Sequence, residues 1–77
     1  MDVAEIIFES VASAFGIDRG ELTLETDLLN DLDAKSVNYF PIMLEIENEW
    51  DLDVQYQQFR SNCRTIGDII DYVEANI

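Results

Sequence analysis

Val3, Ile6, Ile7, Val11 and Phe15 recur at intervals of three and four, and no strand is read anywhere along the chain. A repeat near 3.6 residues gathers side chains on one face only if the segment winds as an α-helix. The spacing therefore predicts a first amphipathic helix over residues 2–15. Gly16 is placed to end it in the left-handed conformation that residues bearing a Cβ adopt reluctantly. A second helical pattern covers residues 36–50. Wound at about 100° per residue, Val37, Phe40, Ile42, Met43, Leu44, Ile46 and Trp50 occupy a wide arc. Asn38, Pro41, Glu45, Asn48 and Glu49 share the narrow wedge left over, and Glu47 is the one charge inside the apolar arc. This helix is expected to be mostly buried and to show one polar strip. Thr65 followed by Asp68 has the spacing of a capping box and opens a last helix that buries Ile66, Ile69, Ile70 and Val73.

Between these segments the periodicity fails. From Ile17 to about Ala34, Gly20, Asn30 and scattered acids break the pattern, while Leu22, Leu28, Leu29 and Leu32 recur as anchors. So long a loop is uncommon in a small domain and is usually functional. Asp51 to Asn62 reads as a connection with room for one helical turn through Tyr56 and Phe59. The expected architecture is all-α: a small three- to four-helix, up-and-down-like bundle with a long loop between the first two helices, forming a single domain over residues 1–77.

A chain of 77 residues is close to the lower limit for a core without staples, but 48% hydrophobic content, with three glycines and one proline, is that of a folding chain. Seventeen acids against four bases give a net charge of −13. Such a field repels nucleic-acid phosphates and anionic membranes and attracts basic protein surfaces. Cys63, the single cysteine, has no partner for an intramolecular disulfide, and the opening MDVAEIIFES lacks the basic flank and apolar run of a secretion signal. A cytoplasmic address is expected. No apolar run approaches the roughly 20 residues that span a bilayer, so no stable membrane insertion is expected. The absence of histidine removes serine–histidine and cysteine–histidine nucleophile pairs and the commonest zinc sites. No catalytic residue is assigned. Asp31-x-Asp33 and Asp51-x-Asp53 begin like calcium loops, but the glycine required at the sixth position is Ser36 or Tyr56 and the closing glutamate is Ile42 or Asn62. No metal site is assigned either.

Ser36 stands between a run of acids and the second helix, in DLDAKSVNYF. At a helix head, unpaired N–H groups and the helix dipole favour an attached phosphate. Two readings stay open on the residues alone: Ser36 is an N-cap, a common use of serine, or it is a modification site.

The stretch Asp31-Leu32-Asp33-Ala34-Lys35-Ser36-Val37 resembles the Asp-Leu-Gly-x-Asp-Ser-Leu signature of acyl carrier proteins, whose serine bears a 4′-phosphopantetheine arm. Asp27 and Leu28 sit where that family keeps its loop anchors, Glu45, Glu47 and Glu49 resemble its acidic second helix, and Thr65-Ile66 with Ile70-Asp71-Tyr72-Val73 looks like its final helix. The resemblance covers nearly the whole chain. It implies that a phosphopantetheinyl transferase esterifies Ser36 with the arm of coenzyme A, and that the arm's thiol then holds acyl groups as thioesters. It also implies a docking surface for basic patches on acyl-loading and acyl-processing enzymes, assigned to Lys35, Val37, Asn38, Pro41, Glu45, Asn48 and Glu49. The apolar interior would shelter the acyl chain, with Phe40, Ile46, Trp50, Val54, Cys63 and Ile69 as its lining. A monomer is expected.

Three positions depart from the family pattern. Lys35 replaces an acid, which reads either as an altered partner preference or as a solvated lysine offsetting Asp31 and Asp33, and Asp33 replaces the usual glycine, so altered backbone angles are expected before Ser36. Pro41 either kinks the second helix after its first turn, the preferred reading, or marks where regular helix begins, with Ser36 in a looser segment. These departures point to a specialised carrier in a lipid, fatty acid or polyketide-type pathway. The alternatives are an aminoacyl or peptidyl carrier of a nonribosomal pathway and an unmodified acidic adaptor with the carrier fold.

Overall fold

A computed structural model describes residues 2–77. Four α-helices follow one another, α1 (Val3–Phe15), α2 (Ser36–Trp50), α3 (Tyr56–Asn62) and α4 (Ile66–Asn76), with a short 3-10 turn at Arg19–Glu21. The expected all-helical bundle is what forms. Among the described residues, the sole extended pairing is an isolated bridge between Asp27 and Thr65. None of the helices is long and apolar enough to cross a membrane.

The helix ends follow from local chemistry. Gly16 closes α1 at φ 65°, and the N–H groups of Gly16 and Ile17 return to the Ser13 and Ala12 carbonyls. The capping box at α4 is complete: Asp68 N–H donates to Thr65 Oγ1 at 3.1 Å, and Thr65 N–H donates to Asp68 Oδ2 at 3.1 Å. Asp51 ends α2 in the left-handed region, at φ 54°. The Asp51–Asn62 connection holds more helix than one turn, since α3 takes up its second half and buries Phe59.

One core runs through the bundle. Ile7 and Val11 of α1, Tyr39, Ile42 and Ile46 of α2, Phe59 of α3 and Ile66, Ile69 and Val73 of α4 are all at most 1% exposed. The long loop is tied to this core along its length. Leu28 is fully buried and Leu22 nearly so, whereas Leu29 is 36% exposed and lies outside the buried core. Backbone bonds then stitch the loop to the start of α4: Leu28 N–H to Arg64 O at 2.8 Å, Ile66 N–H to Thr26 O at 3.2 Å, and Gly67 N–H to Leu24 O at 2.9 Å. Gly67 permits that last approach, because a Cβ there would lie 3.1 Å from the Leu24 carbonyl oxygen. These bonds answer where the polar backbone of a long loop goes, and they deliver Asp33, Lys35 and Ser36 to the head of α2.

Helix α2 differs most from expectation. Its buried stripe is Tyr39, Ile42, Met43 and Ile46, at i, i+3, i+4 and i+7. Val37, Phe40 and Leu44, expected inside, are 73%, 52% and 58% exposed and form an outward apolar stripe that continues from Ser36. The expected polar strip partly faces α1 instead: Asn38 Nδ2 donates to the Ala14 carbonyl at 3.2 Å. Glu47 is half-buried because its Oε2 accepts the Val54 N–H at 3.2 Å, closing the turn into α3. Nor does α2 begin at Pro41. It is helical from Ser36 onward, with the proline inside it. Pro41 removes the N–H that would bond the Val37 carbonyl, and both residues are exposed, so water can take up the orphaned acceptor.

Candidate functional site around Ser36

Ser36 is the first residue of α2, and its side chain is exposed. It is not the N-cap. That position belongs to Lys35, whose N–H donates to Asn38 Oδ1 at 2.9 Å, so Asn38 caps the helix by reaching back. The serine hydroxyl is thereby left without a capping role. Asp33 adopts φ 51°, the left-handed region that glycine favours, so the turn keeps a glycine-like backbone despite the substitution. Lys35 Nζ meets Asp33 Oδ2 at 3.1 Å, an exposed pair that contributes little to stability.

The serine's partner comes from α3. Ser36 Oγ and Tyr56 Oη are 2.8 Å apart, and either hydroxyl can donate. The Arg60 Nη1 group donates to the same Tyr56 oxygen at 3.1 Å. Tyr56 is held by aromatic neighbours, with Phe40 at 5.2 Å between ring centroids and Tyr39 edge-on at 6.0 Å. Phe40 therefore covers the phenol ring from outside and does not enter the core. The hydrogen bond with Ser36 is the largest influence on the Tyr56 phenol and draws it below the ordinary value of 10.0; desolvation opposes this, and Arg60 reinforces it. Sequence reasoning gave Tyr56 and Arg60 no part in the site. Nothing local signals them, since Tyr56 lies 20 positions from Ser36.

The remaining assigned residues divide by location. Lys35, Val37, Pro41, Asn48 and Glu49 are exposed, whereas Glu45 is half-buried and Asn38 is occupied by two structural hydrogen bonds. Ile46, Val54, Cys63 and Ile69 are buried in the common core, with Trp50 packed against it. Burial pushes the Cys63 thiol up to about 12, and its Sγ lies 3.8 Å from the Asp68 carbonyl oxygen. A surface cleft of about 290 Å³ lies elsewhere, between α1 and α2, lined by Ile6, Glu9, Ser10, Ser13, Pro41 and Glu45.

The chain matches curated proteins along nearly its full length. It is 35% identical over 74 residues to an acyl carrier protein of Streptococcus pneumoniae, covering 96% of this chain and 95% of the relative. It is 34% identical over 76 residues to an acyl carrier protein of Lactococcus lactis, with 99% of each covered. One from Exiguobacterium sibiricum is 26% identical over 69 residues, covering 90% of this chain and 86% of the relative. No family model matches the chain.

Proposed function

Because this chain belongs to the acyl carrier protein family, a family of carriers and not of enzymes, we propose that Ser36 is the attachment point of a 4′-phosphopantetheine arm. The single observation that carries this reading is a serine at the exposed head of α2 that is released from capping by Asn38. A helix N-terminus offers unpaired N–H groups and a positive dipole end, both suited to a phosphodiester. Attachment forms a bond from Ser36 Oγ to the β-phosphorus of coenzyme A and breaks the pyrophosphate link. Adenosine 3′,5′-bisphosphate leaves, and the serine proton is lost to a base of the transferase. The arm supplies a thiol that holds acyl groups as thioesters. The chain's own residues present the arm and the surface around it.

That surface combines the outward stripe of Val37, Phe40 and Leu44 with the exposed Pro41, Asn48 and Glu49, in a chain of net charge −13. Partner enzymes with basic, partly apolar docking patches fit it: the transferase first, then acyl-loading and acyl-processing enzymes. Charge pairs in water are individually weak and screened by salt, which suits fast exchange among several partners. Ile46, Trp50, Val54, Cys63 and Ile69 are the residues an acyl chain would meet inside, and it must part side chains already in a common core. The Lys35–Asp33 pair, Pro41 and the Tyr56–Arg60 pairing support a specialised carrier serving its own enzyme set. Incubation with coenzyme A and a broad-specificity phosphopantetheinyl transferase is expected to add about 340 Da, and Ser36→Ala to add nothing. Addition to the Ser36→Ala variant, or none to the wild type, would overturn the assignment.

A further inference from the structure

Four cationic side chains serve a chain with seventeen acids, and their distribution around Ser36 is uneven. Arg64 is paired with Asp27 at 2.8 Å, Lys35 with Asp33 at 3.1 Å, and Arg19 lies over the Phe8 ring at 5.1 Å. Arg60 is different. Like Arg19 it forms no salt bridge among the described residues, but its guanidinium donates to a neutral phenol oxygen that is 2.8 Å from Ser36 Oγ. An arginine without a carboxylate in so acidic a protein is a cation held where an anion is absent. Its neighbour Tyr56 is fixed from two sides by Phe40 and Tyr39 and directs its hydroxyl at the serine. A guanidinium and a phenol are hydrogen-bond donors of the kind that bind phosphate oxygens.

We infer that α3 carries an anion site for the phosphodiester on Ser36, built from the Tyr56 hydroxyl and the Arg60 guanidinium. The inference rests on the reading that Ser36 is modified. Before modification the Tyr56 hydroxyl meets the serine oxygen and Arg60 stands behind it, donating to the Tyr56 oxygen. Afterwards they meet an ester that bears a full negative charge, and the contact becomes charge-assisted. The base of the arm is thereby held toward α3, while the thiol end stays free. Lys35, although adjacent in sequence, is engaged by Asp33 and is not required.

The test uses the full chain converted with coenzyme A and a broad-specificity transferase, with conversion confirmed by intact mass. The ³¹P resonance is then compared among wild type, Tyr56→Phe, Arg60→Gln and, as a remote charge control, Arg19→Gln. The first two variants are expected to move the phosphodiester resonance by more than its linewidth, and to narrow it as the phosphate reorients more freely. Arg19→Gln is expected to superimpose on wild type. Full conversion with identical ³¹P spectra for all four proteins overturns the anion site and leaves the carrier reading intact. Failure of the wild type to gain mass overturns both. Tyr56→Phe deletes one hydroxyl and Arg60 is exposed, so neither change endangers the fold.

Discussion

Arg64 Nε donates to Asp27 Oδ2 at 2.8 Å across 37 positions of sequence, fastening the middle of the long loop to the junction of α3 and α4. Asp27 also accepts the Leu29 and Asn30 N–H groups on Oδ1, each at 2.9 Å. The Asn30 N–H bond is the largest of the influences that hold its carboxyl below the ordinary 3.8. A depressed carboxylate contributes stability that is present above the unfolded value and is lost as pH falls through the folded one. Asp27→Ala is therefore expected to lower the melting temperature at pH 7 by more than Arg64→Ala does. The deficit should shrink as the solution is taken well below pH 3.8, where wild type loses the same contribution. Thermal unfolding followed by circular dichroism across pH 2.5 to 7 measures both effects.

The Tyr39 hydroxyl is buried without a hydrogen-bond partner, while its ring packs edge-on against Tyr56 and Phe59. An unsatisfied buried polar group costs on the order of 1–3 kcal/mol, whereas the ring fills core volume. Tyr39→Phe should leave the melting temperature unchanged or raise it. Tyr39→Ala should lose about 3–5 kcal/mol and bring a domain this small to the edge of unfolding. A large loss in the phenylalanine variant would show that the hydroxyl has a partner in solution.

Asp33 occupies the left-handed region at φ 51°. Residues with a Cβ are strained there by about 1–2 kcal/mol, less for aspartate than for most. Asp33→Gly relieves that strain and forfeits only an exposed ion pair with Lys35. A gain of up to about 1 kcal/mol is expected, after the added entropy of the unfolded glycine chain is subtracted. Urea unfolding of the two proteins decides it.

Cys63 is fully buried and its thiol is pushed up to about 12. The thiolate is the reactive form, so the native unmodified protein should not react with Ellman's reagent at pH 8 within minutes, and denaturant should expose one thiol. After conversion the native protein should show one fast thiol, that of the arm. A raised thiol also ties stability to pH: its contribution is intact below the unfolded value of 9.0 and is lost as pH climbs toward 12. Fast labelling of unmodified native protein would place Cys63 at the surface.

Local signals were legible and long-range ones were not. The α4 capping box and the Gly16 cap could be read because each is decided within a few residues of backbone. The loop anchors Asp27 and Leu28 were legible through their resemblance, and the structure pins both. Helix α2 was misjudged because an apolar arc shows which positions tolerate burial, not which of them the neighbours cover. Tyr39 and Phe40 are adjacent, both aromatic and about 100° apart on the helix; the first is buried against Phe59 and Tyr56 of α3, whereas the second meets only the outer side of Tyr56 and stays 52% exposed. For the same reason the contact of Tyr56 and Arg60 with Ser36 could not be foreseen, since it exists only once α3 has folded back on the head of α2.

The most direct test is the intact mass of the protein purified from the cells that make it, with fragmentation to locate any adduct. A species about 340 Da heavier than the bare chain, or heavier still by an acyl group, with the increment on Ser36, is the predicted result. A population wholly at the unmodified mass, in cells shown to contain a transferase that accepts this chain, would contradict the carrier role.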